Sequence, residues 1–175
     1  MKYYCLTIDK RYSNVPVIKN WYGKIEKENI REDRSYLLPQ RELLEIAENK
    51  NVFFTDVIIS PFFLVSDLCK DVISMYEPKT KFKQIVLMDM KSSKHQVYHL
   101  PILKIISGIA AQKKVGLVNI IENELKFKED DVKDLSIFKV EANGITNIII
   151  RLDLLESMLR RGAKGIGIHE VETVR

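Results

Sequence analysis

The sequence predicts an α+β protein, an antiparallel-leaning sheet carrying a few short helices. Three observations lead there. An apolar stretch from Val52 to Asp89 encloses a short amphipathic helical pattern, and a weaker echo of it runs from Asn147 to Glu172. The rest is dominated by strand-like runs broken by turn residues, with Asn143-Gly144 the strongest hairpin signal. Hydrophobic residues at 46% and charged residues at 30% are ordinary globular values, and 175 residues fit one domain. A domain of that size buries about 70% of its unfolded surface, so it needs no disulfide or metal staple.

In chain order, Lys2 to Ile8 reads as a first strand ending at Asp9-Lys10. The segment after it keeps no period and is punctuated by Asn14, Pro16, Asn20 and Gly23, an irregular excursion with short edge pairing at Val15 to Ile18. The organisation expected over 1–175 is a single domain in which residues 1–50 pack on a core built by 52–175. Trp21 and Tyr22 sit mid-excursion. Either they pin this loop to the body, or they are exposed anchors for a partner, since large amphipathic rings are enriched at interface hot spots. Alternating charges from Lys24 to Arg34 mark a solvated face. Leu43 to Ala47 reads as a strand, and the turn at Asn49 to Asn51 leads into Val52 to Thr55 as a hairpin or an extended pass.

Ser66 and Asp67 are good caps for a helix whose Leu68, Val72, Met75 and Tyr76 recur at helical spacing; Glu77-Pro78 ends it. Phe82 to Leu87 and Gln96 to Leu103 then pair as a hairpin, with Pro101 at an edge or end. Ile105 to Ile121 reads equally as a short helix or a loose loop. Leu125 to Asp134 is locally acidic, and Ser136 to Val140 with Thr146 to Arg151 forms a hairpin. Asp153 and Glu156 make a capping-box-like start for a second helix with a Leu154, Leu155, Met158, Leu159 stripe, closed by Gly162. Gly165 to Val171 is a final strand. The two apolar units share one grammar of strand, Asp cap, helix and strand, which raises the hypothesis of duplication.

Little of this carries chemistry. No glycine-rich phosphate loop occurs. His95 and His99 are four apart in a strand, an incomplete metal site, so no metal and no cofactor is expected. Cys5 and Cys69 read as buried small hydrophobes; Cys69 near a helix start has only that position to suggest reactivity. Arg151, Arg160 and Arg161 could form an anion-binding patch, the basis of an alternative reading as a small-ligand protein or enzyme. A net charge of +4, with both signs interleaved, gives no basic stripe of the kind nucleic-acid binders show. The opening MKYYCLTIDK has no apolar leader, and the longest apolar runs are broken by Asp56, Pro61 and Asp67, so a cytoplasmic chain that spans no membrane is expected.

Ser60 to Pro78 (SPFFLVSDLCKDVISMYEP) and Arg151 to Gly162 (RLDLLESMLRRG), with NVPVIKNWYGK at 14–24 and HLPIL at 99–103, resemble the immunity protein 11 family of bacterial polymorphic toxin systems. The resemblance covers nearly the whole chain. It departs at His99, where the family pattern has tyrosine, and at Ile105 to Lys114, which is less polar. The resemblance implies a non-enzymatic protein that binds and neutralises a cognate toxin. Candidate contacts are Trp21, Tyr22 and the acidic Glu129, Asp130 and Asp131, the last three because toxins that engage nucleic acid have basic sites. Oligomeric state is left open.

Overall fold

The structure is a computed structural model that describes residues 1–107, 109–115, 120–142 and 144–174; of 109–115, 120–124, 142 and 174 it describes the backbone alone. In chain order the strands are β1 (Tyr3–Ile8), β2 (Arg41–Glu45), β3 (Val57–Ile58), β4 (Leu64–Val65), β5 (Lys81–Met88) and β6 (His95–Ile102). They continue as β7 (Ile105–Ser107), β8 (Ile109–Val115), β9 (Ile120–Lys128), β10 (Ile137–Ala142), β11 (Ile145–Arg151) and β12 (Ile166–Val174). The helices are α1 (Asp67–Tyr76), α2 (Glu129–Val132) and α3 (Leu152–Arg160).

The architecture is α+β, with two sheets in place of one. A seven-stranded sheet has the order β7-β10-β11-β1-β12-β9-β8, and a five-stranded sheet has the order β2-β5-β6-β4-β3. Most pairs are antiparallel, but β2/β5, β7/β10 and β9/β12 are parallel, so both sheets are mixed. The parallel β2/β5 pair also replaces the hairpin considered at 43–55: after the Asn49 turn, 52–55 passes out of the sheet. The segment read as helix or loop at 105–121 is strand at 105–107, 109–115 and 120–121; Gly108 and 116–119 lie outside the described residues. Asn143 does too, although its expected hairpin is present as the β10/β11 pair, and Gly144 takes φ +74°.

The two sheets repeat one plan. In the larger, β11 and β12 are joined by α3 and both lie antiparallel to β1 between them. In the smaller, β4 and β5 are joined by α1 and both lie antiparallel to β6 between them. The next neighbours match as well: β10 and β3 are antiparallel to β11 and β4, while β9 and β2 are parallel to β12 and β5. The larger sheet adds β7 and β8 at its edges, and over the five matching strands the units differ in connectivity. In one unit the central strand follows in the chain as β6; in the other it arrives from the start of the chain as β1. Mutually exchangeable packing of this kind is what the duplication hypothesis requires.

The helices meet between the units. Val72 and Ile73 of α1 and Leu154, Leu155 and Met158 of α3 share a core with Leu6, Val65 and Ile150. Truncating such a side chain typically costs 2–5 kcal/mol. Ser66 caps α1 as expected, its Oγ accepting from the Cys69 amide at 3.4 Å. The capping box of α3 does not form. That helix begins at Leu152, because the Asp153 carboxylate is drawn back onto Arg151 at 2.8 and 2.9 Å, and Glu156 instead pairs with Arg160.

Two further cores complete the fold. Tyr3, Phe127 and Phe138 meet edge to face under α2 in one, and the Tyr3 hydroxyl donates to the Val132 carbonyl. The other lies on the smaller sheet, where Ile18, Ile25, Ile30 and Leu38 of the excursion cover Leu44, Ile85 and Leu100. The expected edge pairing near 15–18 is a single bridge, Ile18 to Ile46. This cover brings the excursion against the corner between β3 and β4, and a cleft remains between them.

Candidate functional site

The β3–β4 corner is held in place from several sides. Tyr98 on β6 donates its hydroxyl to the Thr55 carbonyl at 2.7 Å, and Thr55 donates to the Val57 carbonyl. Asp56 then ties the two units together. Its carboxylate accepts from the Ser66 hydroxyl at 2.6 Å and from the Lys164 amide at 2.7 Å, and its backbone pairs with the same two residues. The chain can pass Gly165 this close only because that residue has no side chain: at φ +81°, a Cβ would lie 2.4 Å from Thr55. The corner turns at a cis Ser60-Pro61 bond.

Between this corner and the excursion lies a cleft of about 490 Å³, within the usual 300–1,000 Å³ range of binding sites. Val57, Ile58 and Ile59 form one wall; Val15, Pro16 and Ile18 form the other. Trp21 and Tyr22 stand at it. Trp21 is half-buried, edge-on to Phe62 with centroids 5.9 Å apart, while Tyr22 stacks on Trp21 at 3.9 Å and is 78% exposed. The two rings differ: Trp21 pins the excursion, and Tyr22 faces solvent. The Lys27 amine sits 4.9 Å from the Trp21 ring centroid, a favourable cation–π placement. Ile8 and Val17, at 55% and 61% exposed, extend the apolar rim. Among the described residues the one carboxylate on the cleft wall, Asp9, is held by Arg11 at 2.8–3.2 Å, which keeps its carboxyl below the usual range.

The other sequence candidates lie elsewhere. Glu129, Asp130 and Asp131 form the single turn α2 beside Tyr3, at the opposite end of β1 from Ile8 and Asp9. A six-residue strand separates them, about 20 Å. Glu129 accepts from the Met1 amine at 3.1 Å, and Asp130 and Asp131 are exposed. Arg151 and the Arg160–Arg161 pair sit at opposite ends of α3, about 13 Å apart along its axis. Arg151 is taken up by Asp153, Arg160 by Glu156, and Arg161 by the Ser157 hydroxyl and carbonyl. The structure does not bring the three guanidinium groups together.

Both cysteines are buried, and burial pushes the Cys5 thiol up to about 11 and the Cys69 thiol up to about 12, away from nucleophilic behaviour. His99 is also buried, and its Nε2 meets Asp67 Oδ1 at 2.6 Å, joining α1 to β6; His95 is exposed against the Ser93 carbonyl. Among the described residues no group of three or more His, Cys, Asp or Glu side chains could hold a metal, and no helix is long and apolar enough to cross a membrane.

One buried charge escaped the sequence reading. Lys139 in β10 is 7% exposed, and its Nζ donates to the Ile30 carbonyl at 3.0 Å. Burial pushes its amine down to about 8. Its signal was a lysine inside an otherwise apolar run, Ile137 to Val140. A scan against protein-family models matches no family, and a search of the curated proteins finds no match for this chain.

Proposed function

We propose that the chain is a non-enzymatic immunity protein, acting in the cytoplasm, that neutralises a cognate bacterial toxin by binding it through the Trp21–Tyr22 cleft. The motif resemblance supplies the class of partner. The observation that carries the binding reading is the exposed Tyr22 ring, stacked on a half-buried Trp21 at the edge of an apolar cleft. Rigid aromatic side chains backed by a packed core lose little conformational entropy on binding and are typical interface anchors. A stable protein interface buries about 1,200–2,000 Å², so the partner would extend past the cleft over Ile8 and Val17.

The test is capture from a lysate of the source cells with the wild-type chain and with Tyr22→Ala, followed by expression of the captured protein's carboxy-terminal domain in a naive host. Expected is a domain that stops growth, with growth restored by the wild-type chain and not by Tyr22→Ala. A captured domain without toxicity, or equal rescue by both chains, would overturn the reading.

A further inference from the structure

The cleft shares a wall with a second cavity. Lys27, Ile59 and Pro61 line both, and the second encloses about 250 Å³. The first is bounded mainly by apolar side chains, whereas the second is also lined by Lys139, Glu141 and Thr146. Lys139 is nearly sealed from solvent, yet an ammonium carries three donors, and among the described residues the Ile30 carbonyl takes one of them. Burying a cation with part of its hydrogen-bonding capacity unused is costly unless an acceptor or counter-charge completes it. Glu141, two positions along the same strand and exposed, is the carboxylate that acts on it, and burial still outweighs that attraction.

Among the described residues, two amines and one carboxylate line the recess, leaving room for one further anionic group. We propose that a carboxylate of the bound partner sits in this recess between Lys27 and Lys139, while the apolar residues next to it in the partner's chain lie along the cleft. The occupant is thus an extended segment of the partner, a run of apolar side chains followed by Asp or Glu. A free small molecule filling both cavities would leave Ile8, Val17 and the outer face of Tyr22 uncovered; a protein segment in continuity with a larger body covers them. Asp9 does not oppose an acidic segment, because Arg11 already neutralises it. The inference deepens the docking reading and rests on it.

Trp21 is the single tryptophan of the chain and lines the cleft, so its fluorescence reports occupancy. The probes are the peptides acetyl-Leu-Val-Phe-Glu-amide and acetyl-Leu-Val-Phe-Gln-amide. The glutamate peptide is expected to saturate the Trp21 signal at about tenfold lower concentration, the usual weight of a hydrogen bond to a charged group. That preference should fall to about twofold or less in Lys139→Met and, as a second variant at an exposed position, in Lys27→Met. Equal binding of the two peptides, no saturable signal with either, or an unchanged preference in both variants overturns the carboxylate seat. Partner capture separates this from the docking reading. If the Lys27→Met, Lys139→Met double variant captures the partner as well as wild type while Tyr22→Ala loses it, the recess inference fails and docking stands. If Tyr22→Ala captures normally, docking itself fails.

Discussion

Replacing Asp56 with alanine should destabilise the fold by about 2–4 kcal/mol. Two hydrogen bonds end on this carboxylate, from the Ser66 hydroxyl and the Lys164 amide. A bond to a charged acceptor is worth about 1.5–3 kcal/mol, and the sum is reduced because Asp56 is only half-buried. The loss is not local. Ser66 caps α1, and Lys164 follows α3, so both strand–helix–strand units lose the same tether, and the cleft wall at 57–61 loses its anchor. For a domain of this size each kcal/mol moves the melting temperature by about 2–4 °C, so a drop of about 5–15 °C is expected. Asp56→Asn, which keeps one acceptor, should lose about half as much. Urea unfolding followed by far-ultraviolet circular dichroism measures the change, with an unaltered slope certifying that the unfolded state is the same. An unfolding free energy for Asp56→Ala within about 0.5 kcal/mol of wild type would refute the assignment of Asp56 as the tie between the units.

Three further outcomes follow from buried groups and backbone. Burial lowers the Lys139 amine to about 8, below the unfolded value near 10.4, so the unfolded chain holds more protons between those limits and stability attributable to Lys139 rises with pH there, by roughly 3 kcal/mol. Because Cys5, Cys69 and Tyr98 are shifted upward and lose stability over the alkaline range, the rise is to be read as the difference between wild type and Lys139→Met, and a flat difference would contradict it. At pH 8 the native thiols should react with a disulfide reagent about 100-fold or more slowly than after unfolding, and fast labelling of either would contradict their buried placement. Gly165→Ala should cost clearly more than Gly162→Ala: both sit at positive φ, a strain of about 1 kcal/mol, but only at Gly165 does the new Cβ collide with Thr55. Equal losses in thermal unfolding would contradict the close approach.

The elements that sequence made legible are those whose signals are local. Ser66 before a helical stripe placed α1, though Met75 of that stripe is exposed; Leu154, Leu155 and Met158 are the buried face of α3, while Leu159 of the same expected stripe is exposed. Asp153 misled, because a neighbouring guanidinium competes with the backbone for the same carboxylate. The division into two sheets was not legible, since it depends on β1 crossing from the start of the chain to lie between β11 and β12. The run at 105–121 lacks alternation; β7 pairs with β10, remote in sequence, while β8 pairs locally with β9. Within the site, Trp21 and Tyr22 drew notice by ring size alone. Lys139 did not, because a lysine in a strand reads as the solvent face; here the excursion covers that face and the aromatic core covers the other. The cleft itself, built from 8–27 and 55–61, exists only once the excursion folds back.

The measurement that bears most directly on the central claim is the affinity of the captured partner for the wild-type chain and for Tyr22→Ala, by calorimetry at moderate salt. Tyr22 is exposed, so its truncation leaves the fold intact. A loss of about thirtyfold or more, the mark of an interface hot spot, is expected if the cleft is where the partner docks. An unchanged dissociation constant would contradict it and move the interface to another face of the molecule.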